Sequence, residues 1–205
     1  MCTRGVYLRR RDGLSRRAFL GGNAIWTAAA GLAPGLWAQE RAPEKTQPAD
    51  AKIAPYFPTP QSIVDKMLQL GELKAGEKMY DLGSGDGRIV IMAARKYQAD
   101  ASGVELDDDL YKQSSLRIKT LGLEARARIV HGDLLQQDYS SYDLLTIYLL
   151  PVAIQKIAPI FEKQLKKGAR IVAHDFEFPQ WTAARVVDID DDGEGRSHRL
   201  YLYRR

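Results

Sequence analysis

The sequence predicts an α/β domain over residues 55–205, a doubly wound, Rossmann-like sheet of seven strands with an antiparallel C-terminal hairpin. Three observations predict it. Short apolar segments alternate with amphipathic helical segments, which is typical of a right-handed, doubly wound sheet. Segment 144–147 is apolar almost throughout, as parallel strands buried on both faces are. A glycine-rich turn joins the first strand to the next helix.

The elements follow in order along the chain. A helix opens at Thr59 or Pro60, carries its apolar residues on one face and ends at Gly71. The next elements are predicted as strand 78–82, helix 88–97, strand 101–106, helix 108–120, strands 128–131 and 143–149, helix 152–166 and strand 170–174. Strands 184–188 and 198–203 flank an Asp- and Gly-rich segment, which predicts the hairpin.

The turn after the first strand carries the strongest local signal, YDLGSGDGR over residues 80–88. Glycines can adopt backbone angles closed to other residues and let a ligand approach the main chain. The spacing is not G-x-G-x-x-G, because Arg88 stands where the third glycine would be. We expect the cofactor to contact Asp81, Gly83, Ser84, Gly85 and Gly87.

Carboxylates also end the second and third strands. Glu105 follows Asp81 at about the ~20-residue separation at which nucleotide-binding α/β folds place a ribose-binding acid, and Asp133 follows the third strand. The pattern D-x-G-x-G-x-G resembles the first motif of class I S-adenosylmethionine (SAM) methyltransferases. The resemblance implies SAM as cofactor, with Asp81 near its sulfonium and amino acid and Asp133 near the adenine amino group.

Four segments together indicate a narrower group: residues 55–60, 80–88, 147–151 and 172–176. They resemble the small protein-lysine methyltransferases whose mitochondrial members modify the ATP synthase c-subunit and the adenine nucleotide translocase, with bacterial relatives. The resemblance covers residues 54–181. It implies methyl transfer to a lysine side chain of a protein, such as a small membrane protein.

The acceptor side is predicted at the end of the fourth strand. Tyr148 is the candidate for orienting the amine, with His174 and Asp175 on the same edge as catalytic candidates and with Tyr56 and Pro151 as substrate-binding candidates. The run from Tyr148 to Pro151 lacks the amide or carboxylate that enzymes acting on nucleic-acid bases use, so no nucleic-acid partner is expected. A core aromatic at Tyr148 and a hydrogen-bonded buried imidazole at His174 stay open as alternatives.

Composition narrows the function further. The chain has one cysteine and three histidines without metal-ligand spacing, so no metal site is expected. The formal net charge of +4 comes largely from arginines before residue 18, and the rest of the chain is near neutral. Basicity is therefore poor support for nucleic-acid binding.

The first 39 residues predict a targeting segment. Basic residues precede an uncharged run, and SRRAFL at 15–20 resembles a twin-arginine export signal. A membrane anchor is the alternative, and residues 40–54 are expected to be a flexible linker. We expect a bacterial protein that is exported or tethered at the cytoplasmic membrane, with a cytoplasmic location as the alternative.

Export would separate the enzyme from SAM, which is made in the cytoplasm. This conflict keeps two other functions open beside lysine methylation. One is a non-catalytic SAM-fold binding protein. The other is a small-molecule methyltransferase.

Overall fold

The computed structural model describes residues 57–205. The expectations for segments 1–39 and 40–54 and for Tyr56 fall outside these residues. Within the described part of the chain, no helix combines the length and the apolar character needed to cross a membrane.

Four α-helices and seven strands make up this part of the chain. The helices are α1 (Gln61–Leu70), α2 (Arg88–Lys96), α3 (Asp108–Thr120) and α4 (Pro151–Gln164). The strands are β1 (Lys78–Leu82), β2 (Asp100–Glu105), β3 (Ala127–His131), β4 (Leu144–Ile147), β5 (Arg170–His174), β6 (Arg185–Ile189) and β7 (His198–Arg204).

The strands form one sheet in the order β3-β2-β1-β4-β5-β7-β6. The first five strands run parallel, and β7 lies antiparallel between β5 and β6. The predicted fold is therefore confirmed, including its C-terminal hairpin. Since β1 lies at the centre of the parallel part, the glycine turn that follows it lies at the middle of the sheet edge.

The observed element boundaries differ most from the expected ones after β4. The expected strand 143–149 ends at Ile147, and Tyr148 lies in the loop that leads to α4. Helix α4 begins at Pro151, whose fixed φ suits the first helical position. Leu150 precedes it in an extended conformation, as residues before proline do. Tyr148 is thereby released from the sheet and presented at its edge.

Apolar side chains cover both faces of the sheet. All residues of β4 and β5 are buried, as expected for strands between two helical layers. Helix α1 buries the face that its sequence periodicity predicted: Ile63, Val64, Met67, Leu68 and Leu70.

Candidate functional site

The glycine turn adopts the backbone conformation that its sequence requires. Gly83, Gly85 and Gly87 have φ values of +74°, +54° and +76°, a region that other L-residues rarely adopt. The N–H groups of Gly83 and Ser84 donate to the carbonyl of Val104 at 3.0 and 2.9 Å. The turn is thereby held against the end of β2.

Gly103 makes this close approach possible. Its role was not expected from the sequence. A Cβ atom at Gly103 would lie 1.9 Å from Oγ of Ser84, far inside contact distance. Gly103 pairs with Asp81 in the parallel register of β1 and β2. A glycine inside a strand can mark such a close approach, but the sequence does not say which segment approaches.

A pocket opens where β1 to β4 end, and it collects most of the expected cofactor-binding residues. The predicted residues on its wall are Asp81, Gly83, Ser84, Gly85, Glu105, Asp133 and Tyr148. Gly87 is not on the wall. It is buried at the start of α2, where a Cβ atom would lie 3.1 Å from Cβ of Ser114. Its smallness therefore serves the packing of the turn against α3.

Asp81 lies at the bottom of this pocket with only 2% of its surface exposed. Burial raises the pKa of Asp81 to about 7, and the nearby carboxylates of Glu105 and Asp86 act in the same direction. Thr146 opposes the shift by donating its hydroxyl to Oδ1 at 2.7 Å. A cation bound in the pocket would favour the ionised form of this group.

Glu105 already binds the main chain through both carboxylate oxygens. Oε2 accepts from the N–H of Gly85 at 2.7 Å, and Oε1 accepts from the N–H of Asp107 at 2.8 Å. Each oxygen keeps a second lone pair. Glu105 can therefore shape the turn and accept hydrogen bonds from two ribose hydroxyls.

Asp133 ends the loop after β3 and begins a short 3-10 turn over Leu134–Gln136. Its Oδ1 accepts from the N–H of Leu135 at 2.8 Å. The adjacent wall residues are Gly132 and Leu134. A carboxylate beside small and apolar residues suits recognition of an adenine amino group.

An arginine ties the segment before α1 to the pocket. Arg88 donates to the carbonyl of Thr59 at 2.9 Å and to both carboxylate oxygens of Asp86 at 2.9 Å. Arg117 of α3 also pairs with Asp86 at 3.0 Å. The contacts of Arg88 with Thr59 and of Arg117 with Asp86 were not expected from the sequence, since these partners are 29 and 31 residues apart.

Tyr148 faces the pocket and contacts the residues expected beside it. Its ring centroid lies 4.0 Å from that of His174 and 6.3 Å from that of Phe176. Burial, followed by the charge of Asp175 and a hydrogen bond to it, raises the pKa of Tyr148. The phenol therefore stays protonated near neutral pH, and its oxygen lone pairs can accept a hydrogen bond from a partner.

His174 and Asp175 are not on the pocket wall. His174 is 1% exposed, and burial lowers its pKa to about 4. Its Nε2 lies 2.9 Å from Nδ1 of His198, and its Nδ1 lies 3.4 Å from Oγ1 of Thr59. His174 is thus a neutral, partnered imidazole that supports the Tyr148 ring.

Pro151 is exposed and lies outside the pocket wall, at the first turn of α4. The structure thus assigns it a helix-starting position.

A group of three titratable side chains was not expected from the sequence. Nε2 of His174, Nδ1 of His198 and Oδ2 of Asp175 lie close together.

The fold, the glycine turn and the three strand-end carboxylates define a SAM-dependent methyltransferase of the class I fold. The residues on the wall fit SAM, since the buried carboxyl group of Asp81 suits a cationic group and Glu105 has lone pairs for ribose hydroxyls. Comparison with known proteins narrows the class: residues 81–185 match the ANTKMT methyltransferase domain, and the chain belongs to that family.

The relatives have related names. A protein-lysine N-methyltransferase of Saccharolobus islandicus is 37% identical over 150 residues, covering 73% of this chain and 92% of the relative. The human lysine N-methyltransferase of the ATP synthase c-subunit is 32% identical over 149 residues, covering 72% of this chain and 61% of the relative. The chain thus spans less than two thirds of that human protein.

One solved structure has the same fold, and its name gives a different methyl acceptor. The crystal structure of an RNA methyltransferase from Salinibacter ruber in complex with S-adenosylhomocysteine superposes with a TM-score of 0.67 at 40% identity. The match covers 72% of this chain and 93% of that one. Both comparisons agree on methyl transfer, and their names differ in the acceptor.

Proposed function

We propose that this methyltransferase transfers the methyl group of SAM to the ε-amino group of a lysine in a protein. The observation that carries the proposal is the position of Tyr148, a protonated phenol on the wall of the cofactor pocket with its ring packed against that of His174. The names of the archaeal and human relatives support the same acceptor.

The charge of the pocket favours a cationic acceptor. Its wall carries one guanidinium, Arg88, which binds Asp86 and Thr59. Five carboxyl groups share the wall: Asp81, Asp86, Glu105, Asp107 and Asp133. An excess of acidic groups attracts a protonated lysine and repels a phosphate backbone.

Methyl transfer to lysine requires a methyl donor, a neutral amine and a group that orients the amine. SAM, when bound, supplies an electrophilic methyl group on a positively charged sulfur. The acceptor lysine must first release its proton to solvent, and the partly buried surroundings of Tyr148 favour the neutral amine. The phenol oxygen then accepts a hydrogen bond from the amine N–H and directs the remaining lone pair toward the methyl group. S-adenosylhomocysteine is the leaving group when the amine takes the methyl group.

RNA is the alternative acceptor, and the name of the Salinibacter ruber structure is the observation that favours it. The near-neutral charge of residues 57–205 and the acidic pocket weigh against it. A direct comparison decides between the two.

The test supplies the full-length protein with tritiated SAM and, in parallel, a membrane-protein fraction and total RNA. We expect label on lysine, located by mass spectrometry of peptides. Tyr148→Phe should keep SAM binding and lose most turnover, because the hydroxyl contributes to the transition state more than to cofactor affinity.

Tyr97→Phe is the matched control, since it also removes a tyrosine hydroxyl, one that donates to Asp65 at 2.7 Å, at the opposite end of α2 from the glycine turn. It should keep full turnover. Label found on RNA alone would refute the lysine assignment. Equal turnover of the two variants would return Tyr148 to a purely structural role.

We also propose that residues 1–39 act as a twin-arginine export signal, with a membrane tether as the alternative and a cytoplasmic location as the third possibility. The support is the SRRAFL segment at 15–20. Fractionation of cells expressing the wild type and the Arg16→Lys/Arg17→Lys variant tests it. We expect the variant to stay in the cytoplasm at full length, and a wild type found there as well would refute export.

A further inference from the structure

Two imidazoles and one carboxylate converge behind Tyr148, at the ends of β5 and β7. Nε2 of His174 lies 2.9 Å from Nδ1 of His198. Oδ2 of Asp175 lies 3.3 Å from the former atom and 3.4 Å from the latter. His174 and His198 are 1% and 7% exposed.

These separations match a coordination sphere. Tetrahedral ligands about 2.0–2.1 Å from Zn²⁺ lie roughly 3.3–3.4 Å from one another. Two of the three separations have this value, and the third is shorter because the imidazoles hydrogen-bond to each other. A small rotation of one imidazole would equalise them. We propose that His174, Asp175 and His198 bind a divalent transition-metal cation, with Zn²⁺ as the best match to two imidazoles and one carboxylate.

The surroundings supply the outer hydrogen bonds that metal-binding imidazoles have. Nε2 of His198 lies 3.1 Å from Oδ2 of Asp192, whose side chain is fully buried. Nδ1 of His174 lies 3.4 Å from Oγ1 of Thr59. Both imidazoles therefore have an oxygen partner on the ring nitrogen that faces away from the cluster.

The carboxylate is oriented in the same way. Asp175 has a φ of +61°, which is uncommon outside glycine. Its Oδ1 accepts from the N–H of Arg199 at 2.9 Å, so Oδ2 is the oxygen next to the imidazoles. The backbone thus fixes which oxygen a cation would bind.

Charge and protons balance on binding. Without a cation, the contacts are satisfied if Nε2–H of His198 donates to Asp192, since a carboxylate accepts, and Nε2–H of His174 donates to the free Nδ1 of His198. With a cation, the proton of His174 moves to Nδ1 and donates to Thr59, so neither imidazole needs to change its charge. Asp175 and Asp192 contribute two negative charges, which outweigh the guanidinium of Arg196 at 3.5 Å from Asp192.

A cation here would join the end of β5 to the first residue of β7, and the hydroxyl of Thr59 would link the segment before α1 to it through His174. The cation would hold His174, whose ring centroid lies 4.0 Å from that of Tyr148, and with it the adjacent Asp175. Three protein ligands leave a fourth position for water, as in other three-ligand zinc sites. The site would therefore position Tyr148 without taking part in methyl transfer.

The test uses the full-length protein purified without a histidine tag and treated with EDTA. ZnCl₂ titration by calorimetry should give one saturable site per chain, and CoCl₂ should give the visible absorption of a tetrahedral Co²⁺ complex. His174→Ala and His198→Ala should each weaken Zn²⁺ binding at least 100-fold. His131→Ala, an exposed histidine outside the cluster, should bind as the wild type does.

Asp192→Asn keeps an oxygen for the N–H groups of Glu194 and Arg196, so it should fold. It should weaken Zn²⁺ binding about 10- to 100-fold. S-adenosylhomocysteine binding verifies the fold of every variant. A folded wild type without a saturable site would overturn the proposal, as would binding that survives both His→Ala substitutions. If Cys2→Ser loses Zn²⁺ binding while both His→Ala variants keep it, the metal binds elsewhere and the proposal is also overturned. These binding assays contain no methyl acceptor, so their outcome does not depend on the lysine assignment.

Discussion

The buried carboxyl group of Asp81 should couple SAM binding to pH. Its pKa of about 7 in the unliganded protein means that it is half protonated near neutral pH. A sulfonium and an ammonium nearby favour the carboxylate, so binding must release a proton wherever Asp81 is neutral. The groups that face it are Thr146 from β4, Glu105 from β2 and Asp86 from the turn.

The expected magnitude follows from the ionised fraction. With a pKa of about 7, that fraction falls from about nine tenths at pH 8 to about one tenth at pH 6, so affinity should fall about tenfold, or ~1.4 kcal/mol. Calorimetry at these values and at pH 7, in phosphate and in Tris, measures both affinity and proton release. Asp81→Asn should bind more weakly at pH 8 and lose the part of the pH dependence that Asp81 contributes.

The comparison of wild type with Asp81→Asn removes the titration of the cofactor's own amino group, which is common to both. Stability provides a second measurement. Because the pKa of Asp81 is raised from 3.8, its contribution to stability is complete below pH 4 and is lost as pH rises through 7. Without ligand, Asp81→Asn should therefore raise the melting temperature at pH 8 more than at pH 5. Parallel affinity profiles for the two proteins would refute the assignment.

Three further substitutions test the pocket through SAM binding. Glu105→Ala should weaken it by ~1.5–3 kcal/mol, because a charged acceptor for two hydroxyls is removed, and unchanged affinity would exclude a ribose contact. Gly103→Ala should displace Ser84 and abolish binding, whereas Ser102→Ala in the same strand removes a buried hydroxyl with no partner among the described residues and should leave binding intact. Thr146→Val should raise the pKa of Asp81 further, so calorimetry should show binding weakened at pH 6 and 7 and little changed well above pH 8.

Local signals in the sequence were sufficient for the fold and for much of the cofactor site. Strands and helices have their own periodicities, and a glycine-rich turn between them is read from consecutive residues. Parallel strands place their carboxyl ends at one edge, so Asp81, Glu105 and Asp133 were expected together. The structure places all three on one pocket wall.

The same local signals did not show which of these residues face the pocket. Gly87 belongs to the motif, yet it is buried against α3 rather than exposed to the pocket. Pro151 follows the fourth strand, yet it starts α4 on the exposed surface. In both cases the residue type indicated a turn or a helix start. Whether the residue faced the pocket depended on the element packed beside it.

The tertiary structure alone decided the contacts between residues that are distant in sequence. His174 and His198 are 24 residues apart and meet because β7 runs antiparallel beside β5. Thr59 reaches His174 across 115 residues. A sequence pattern records spacing along the chain, but these contacts depend on strand order and on the register of neighbouring strands. The sequence by itself therefore determined the fold, the cofactor and the sheet edge at which the pocket opens, and only the packed sheet decided which side chains meet behind Tyr148.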